Sequence, residues 1–224
     1  MMMNKQPVVF CDFDGTITDN DNIVEIMKHF LPEGYEEVMR ATVERQISIK
    51  EGVGRMFALF PSSRREEIKS FALEQAVIRE GFQDYLQHLQ DHRIPFYVTS
   101  GGIDFFVKPL LEPFHIPEEQ IYCNSADFSQ SQITITWPHP CEGSCTNQCG
   151  MCKVTVMNQF PSDQYYRILI GDSITDFEGA KIADLVYSRS TLTKRCEELG
   201  VQHVPFQTFH DIIEDMKQKT LQGV

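Results

Sequence analysis

One stretch, VVFCDFDGTITD from Val8 to Asp19, restricts the fold more than any other. Val8-Val9-Phe10-Cys11 is an apolar run too short for a helix and rich in β-branched and aromatic side chains, which predicts a buried strand. Asp12 and Asp14 follow at once on either side of Phe13, and Gly15-Thr16 turns the chain. A strand ending this way sets its carboxylates at the carboxyl edge of a sheet, where open α/β sheets bind ligands. Two carboxylates so close repel, so a cation or a shared proton is expected between them. Mg²⁺ is the hard, oxygen-seeking cation such a place suits.

Beyond Thr16 the periodicity becomes helical. Ile23, Ile26, Met27 and Phe30 share one helix face behind the cap region Asp19-Asn20-Asp21. A second helix is expected over 35–46. A third opens on Ser48 with Glu51, in the pattern of a capping box, and a fourth opens on Ser63 with Glu66. The segment 20–76 therefore reads as a small helical cap inserted after the first strand, between core segments 1–19 and 77–224. From residue 81 onward, strands and helices alternate. Strands are expected at 94–99, 120–124, 167–170, 185–187 and 201–204, and a half-exposed hairpin strand at 133–137. Ser100-Gly101-Gly102 reads as a turn, Asp104 as the cap of the helix that follows, and 153–160 as a helix. This alternation predicts an α/β fold with a doubly wound, mostly parallel, Rossmann-like sheet.

Three further strand ends carry polar residues. Ser100 and Gly101 close one strand, where glycine lets backbone N–H groups approach an anion, although Ser100 alone is equally an ordinary helix cap. Lys153 opens a helix, where a cation opposes the dipole, and neutralising a nearby carboxylate and phosphate would explain it. Asp172 and Asp176 lie four residues apart after another apolar run. They fit a Mg²⁺ anchor or, taken singly, helix caps.

Taken in order, Asp12-Phe13-Asp14-Gly15-Thr16, Ser100-Gly101-Gly102, Lys153 and Gly171-Asp172-Ser173-Ile174-Thr175-Asp176 resemble the four motifs of the haloacid-dehalogenase-like phosphohydrolases. The resemblance implies a nucleophilic Asp12, an acid/base Asp14, and phosphate binding by Thr16, Ser100, Gly101 and Lys153. It implies Mg²⁺ held by Asp12, the Asp14 main-chain carbonyl and Asp172, with Asp176 behind them. A cap between motifs one and two resembles the phosphoserine-phosphatase-like branch. Where that branch carries a substrate-reading Glu this chain has Asp21; Arg55 lies one place off the branch's cap arginine, and Thr175 replaces its motif-four Asn. These departures point away from phosphoserine itself. Phosphocholine/phosphoethanolamine phosphatases, which share the Cys-Lys pair at motif three, are a neighbouring possibility. Asp21 also fits a solvated helix cap.

With 32 acidic against 20 basic residues, a net charge of −12 disfavours nucleic acid and anionic membranes as partners. It leaves a small phosphorylated metabolite open, because a local metal and local donors outweigh a distant field. No 18-residue apolar run and no basic-then-apolar amino terminus is present, which predicts a soluble, cytoplasmic protein. The oligomeric state stays open. Seven cysteines cannot all pair. Cys141, Cys145, Cys149 and Cys152 crowd one loop, interleaved with Gly143 and Gly150. They fit a structural Zn²⁺ site, through their terminal C-x₂-C, or else free thiols or a labile disulfide.

Overall fold

The computed structural model describes residues 5–142 and 145–221. Residues 1–4 and 222–224, at the ends of the expected core segments, and Gly143 of the cysteine loop lie outside the described residues. Strand β1 (Gln6–Cys11) is the middle of a seven-stranded sheet. It lies parallel to β2 (Phe96–Ile103) on one side and β5 (Tyr165–Gly171) on the other. Beyond β2 come β3 (Ile121–Asp127) and the antiparallel β4 (Thr134–Thr136); beyond β5 come β6 (Leu185–Ser188) and β7 (Val204–Pro205). The chain moves outward from β1 to β4 and then returns beside β1. The crevice between the β1 and β5 ends is thus the switch point of a doubly wound sheet.

The pleat explains the apolar run of β1. Val9 and Cys11 join one core with Val98, Ile168 and Ile170, while Val8 and Phe10 face the other with Leu169, Val186 and Met157. Helices α5 (Phe82–Asp91), α6 (Asp104–Leu111) and α10 (Phe209–Leu221) add Phe82, Tyr85, Phe106 and Phe209 to the first core. Helices α7 (Lys153–Met157), α8 (Phe177–Ala180) and α9 (Ser190–Leu199) supply Val156, Phe177 and Leu192 to the second.

Between β1 and α5 come α1 (Asn22–Phe30), α2 (Tyr35–Val43), α3 (Ile49–Ala58) and α4 (Arg65–Gln75). Ile26, Met27, Phe57, Phe60 and Ile68 bury their shared face in the first core. The two connections to this helical segment run side by side: Thr18 bridges Ile78, Asp19 N–H donates to Val77 O at 2.8 Å, and Arg79 N–H to Ile17 O at 2.8 Å.

Several local expectations are corrected. Ser100-Gly101-Gly102 is no turn: β2 runs on through it with a register shift between Thr99 and Ile103, because Ile103 still pairs with Asn124. Asp104 is the first residue of α6 rather than its cap, and its carboxylate accepts from Ala126 N–H at 3.1 Å instead. Ser63 lies in a short 3₁₀ turn after Pro61 and caps nothing in α4. Ser48 does accept from Glu51 N–H, but the Glu51 carboxylate pairs with Arg55 instead of closing the capping box. Helix α7 stops at Met157, three residues short of the expected span.

Candidate active site

The site grows from the end of β1. Asp12 N–H donates to Ile170 O at 2.9 Å, which extends the β1–β5 ladder by one residue and fixes the Asp12 backbone against β5. The chain then turns tightly, with Gly15 at φ +78°. A methyl group there would lie 2.5 Å from Asp172 Oδ2, so this turn presses directly on the Asp172 carboxylate. Thr16 Oγ1 donates to the other oxygen of Asp172 at 3.3 Å.

Lys153 enters from the first residue of α7, 4 % exposed, with Nζ 2.8 Å from Asp12 Oδ1 and hydrogen-bonded to Asp176 Oδ1. The electrostatic mismatch of a lysine at a helix start is resolved by these two buried acids. Asp176 is fully buried, and its second oxygen accepts from Asp172 N–H at 3.1 Å, Ser173 N–H at 2.9 Å and Ser173 Oγ at 3.1 Å. Its oxygens are thus engaged in holding Lys153 and the turn after β5. Carboxylate oxygens of Asp12, Asp172 and Asp176 lie within 4.8 Å of one another.

Burial dominates the titration of these groups. It pushes Asp12 up to about 7, with the Asp176 charge adding and Lys153 opposing. Burial, then the charges of Asp12 and Asp176, take Asp172 up to about 9. Burial, then the charge of Asp21, lift Asp14 to about 8 against hydrogen bonds from Asn22. Burial works against the Lys153 charge, yet Asp12 and Asp176 outweigh it and hold the ammonium above the usual lysine range. One cation thus faces three clustered carboxylates. Asp176 is fully engaged, whereas among the described residues Asp172 receives only the Thr16 hydroxyl as a side-chain donor. That all-oxygen set with surplus negative charge fits a hard divalent cation between Asp12 and Asp172.

Ser100 is fully buried in the β2 bulge, and its Oγ accepts from Gly102 N–H at 2.8 Å. A methyl on Gly102 would lie 2.7 Å from Asp14 Oδ2 and 2.9 Å from Ser100 Oγ, so all three residues meet at one point. Gly101 is exposed, its carbonyl accepting from Asn124 Nδ2 at 2.7 Å.

The structure thus gathers Asp12, Asp14, Thr16, Ser100, Gly101, Lys153, Asp172 and Asp176 at the sheet's switch point. Asp21 stands at its margin: Oδ1 accepts from Val24 N–H at 3.0 Å as the cap of α1, and its charge is felt by Asp14. Arg55 is not brought to this cluster; it is exposed, paired with Glu51 at 2.5 Å, and lines a groove of about 420 Å³ with Trp137, Gly54 and Gln148. In the cysteine loop, Cys141, Cys145 and Cys152 converge, and Cys149 stands outside their group.

Three residues that sequence reasoning passed over support the site. Asn22, 1 % exposed, donates to Asp14. Asn124, a polar residue in an apolar strand, holds the β2 bulge. Arg79 is buried at the root of the helical segment, with Nε 2.7 Å from Thr16 O and Nη2 3.0 Å from Gly15 O and 3.1 Å from Thr18 O. Nη1 pairs with Asp19 at 2.6 Å. A base directly after Ala76-Val77-Ile78 was the available signal.

Fold and site together define a class: open α/β enzymes with an acidic, lysine-neutralised centre at the sheet's switch point. The chain belongs to the haloacid dehalogenase-like hydrolases, whose family model matches residues 9–181. A Bacillus velezensis protein named 2-hydroxy-3-keto-5-methylthiopentenyl-1-phosphate phosphatase is 49% identical over 210 residues, 94% of this chain and 89% of that protein. A Brevibacillus brevis protein of the same name is 49% identical over 96% of this chain and 97% of its own length. Among solved structures, phosphoserine phosphatase as a phospho-aspartyl intermediate analogue aligns at TM-score 0.69 and 17% identity, covering 94% of this chain and 98% of that one. The T. onnurineus phosphoserine phosphatase aligns at 0.70 and 14% identity over 97% and 98%. At such identities the likeness is one of fold.

Proposed function

We propose that this chain is a Mg²⁺-dependent phosphomonoesterase that dephosphorylates 2-hydroxy-3-keto-5-methylthiopentenyl-1-phosphate, a step of methionine salvage, in the cytoplasm. The observation that carries the chemistry is Lys153 bridging Asp12 and Asp176 beside a half-engaged Asp172. The substrate rests on relatives of that name, 49% identical along nearly the whole chain.

An Asp12 oxygen attacks phosphorus as the bond to the leaving oxygen breaks, and Asp14 gives that oxygen its proton. Asp14 then takes a proton from water, which attacks the phosphorus of the aspartyl-phosphate and frees Asp12 and inorganic phosphate. Asp12, Asp172 and the Asp14 main-chain carbonyl would hold Mg²⁺, which would supply charge neutralisation for the phosphoryl oxygens when bound. Lys153 adds its own positive charge, while Thr16, Ser100 and Gly101 hold the phosphate. Burial that keeps Asp14 protonated near neutral pH suits an acid for an alkoxide leaving group. The segment 20–76 acts as a cap over the organic end of the substrate, with Asp21 as its reader; Arg55, turned away to Glu51, is not one. Asp21→Asn keeps the α1 cap, so a loss on the hydroxylated substrate that spares p-nitrophenyl phosphate separates reading from capping.

Steady-state hydrolysis of the methylthiopentenyl phosphate, phosphoserine, phosphocholine and phosphoethanolamine tests the proposal. The first is expected to exceed the others in kcat/KM by roughly 100-fold or more, with no phosphoenzyme in Asp12→Asn. A preference for another of these substrates would reassign the substrate. No Mg²⁺-dependent turnover of any phosphomonoester would leave a binding protein of the same fold.

A further inference from the structure

The loop leading into α7 holds a cluster that phosphoryl transfer does not use. The Sγ atoms of Cys141, Cys145 and Cys152 lie within 4.8 Å of one another, and those of Cys141 and Cys145 are 3.8 Å apart. A disulfide places its sulfurs at ~2.05 Å, so this pair is not bonded. Four thiolates around a tetrahedral Zn²⁺, at Zn–S of about 2.3 Å, stand about 3.8 Å from one another. The Cys141–Cys145 separation equals one edge of that tetrahedron.

Packing does not account for the convergence. Cys11 and Cys123 sit in one hydrophobic core and Cys196 in the other, as small apolar side chains do. Cys152 is just as buried yet belongs to neither core, and it lies against Cys141 and Cys145 instead. Met151 anchors the loop in the second core and Gln148 O accepts from Lys50 N–H at 3.0 Å, but the stretch around Cys141 and Cys145 has little of this kind among the described residues. Among the described residues from Cys141 to Cys152 there is no helix or strand. Its ends are tied by Cys152 N–H to His139 O at 2.8 Å and Thr155 Oγ1 to Pro140 O at 3.2 Å. Loops of this length without structure of their own need some other restraint to be ordered, and a multidentate ion supplies one.

We propose that Cys141, Cys145 and Cys152, with Cys149 as the fourth donor, form a closed structural Zn²⁺ site. Cys149 lies three residues before Cys152, between two residues with left-handed backbone, Gln148 at φ 49° and Gly150 at φ 94°. Rotation about this pair turns its thiol toward the other three. Soft sulfur donors select Zn²⁺ over the hard cation suited to Asp12 and Asp172. Each S–H proton leaves to solvent as its S–Zn bond forms. The site's consequence is positional, because Cys152 immediately precedes Lys153, the cation of the active site. Zinc pins the start of α7 and so sets where the Lys153 ammonium stands between Asp12 and Asp176.

Protein purified without chelator is assayed for zinc, and the Co²⁺-substituted protein for thiolate-to-cobalt charge-transfer absorption. About one zinc per chain is expected, retained in Asp12→Asn, which separates it from the carboxylate centre, and lost in Cys141→Ser. Cys149→Ser, the mildest change for folding because it lies outside the three converging cysteines, is expected to weaken the charge-transfer band and speed zinc release to a chelator. Both measurements are made without turnover, so they stand or fall apart from the phosphatase proposal. Less than about half an equivalent of zinc with no charge-transfer band would overturn the site, as would a native mass lighter by the two hydrogens of a disulfide. An unchanged band in Cys149→Ser would overturn its place as fourth donor.

Discussion

Asn22 donates twice to one oxygen of Asp14, from its backbone N–H at 3.1 Å and from Nδ2 at 2.7 Å. Burial and the nearby Asp21 charge raise the Asp14 pKa, and the Asn22 bonds pull it back. Asn22→Ala removes the shorter bond and moves that pKa further up, by about one unit for a charge-assisted hydrogen bond. Protonation of the leaving group gains, whereas activation of water needs the ionised carboxylate and loses. Phosphoenzyme decay followed against pH is expected to show its acid limb displaced upward by that amount. An undisplaced limb would show that Asn22 does not tune Asp14.

Gly15→Ala places a methyl group 2.5 Å from Asp172 Oδ2 and forces a side chain onto φ +78°. The backbone cost is on the order of 1 kcal/mol, which lowers the melting temperature by a few degrees. Displacement of the carboxylate costs more. The Mg²⁺ concentration for half-maximal activity is expected to rise about tenfold or more, the equivalent of ~1.4 kcal/mol. A normal Mg²⁺ requirement in a folded Gly15→Ala protein would contradict it.

Without metal, Asp12, Asp14 and Asp172 have folded-state pKa values of about 7, 8 and 9. Above pH 4 the unfolded chain releases these protons while the folded chain keeps them. The folded state therefore binds more protons, and its stability falls as pH rises, until the folded groups have also titrated near pH 9. Bound Mg²⁺ removes the repulsion and competes with the protons. Its rise in melting temperature is expected to be larger at pH 8 than at pH 5, measured by scanning fluorimetry with Mg²⁺ against EDTA. Equal increments at both values would count against the carboxylate site.

Arg79→Met leaves the carbonyls of Gly15, Thr16 and Thr18 without their buried donor and Asp19 without its partner. A loss of about 3 kcal/mol in urea unfolding is expected, with Arg79→Lys recovering part of it through a single donor. A change below ~1 kcal/mol would mean that water replaces the guanidinium.

The sheet was readable because its strands carry their own signal. Val8–Cys11 and Ile168–Ile170 are apolar runs that lead into acids, the second across Gly171, and a local pattern suffices to mark them. Asn22, Arg79 and Asn124 were not readable as parts of the site, since each acts on a backbone or carboxyl group that only the fold brings near. Arg79 reaches back more than 60 residues to Gly15, Thr16 and Thr18. The glycine pair after Ser100 misled for a related reason. Locally it signals a turn, but pairing of Ile103 with Asn124 keeps the strand extended and converts the glycines into a bulge. The cysteine spacing named four residues, whereas the loop's backbone decided which three converge.

Thr18 and Ile78 face each other between two backbone hydrogen bonds, Asp19 N–H to Val77 O and Arg79 N–H to Ile17 O, so the helical segment leaves and rejoins the sheet through one narrow stem. Connections beyond that stem can lengthen or shrink while Ile26, Phe57 and Ile68 stay packed in the core and Asp12, Lys153 and Asp172 keep their places. On the proposed reading of segment 20–76 as a substrate cap, the chemistry and the choice of molecule are separately heritable: lineages can trade one substrate for another by rewriting the insert, with the phosphate-handling half carried forward.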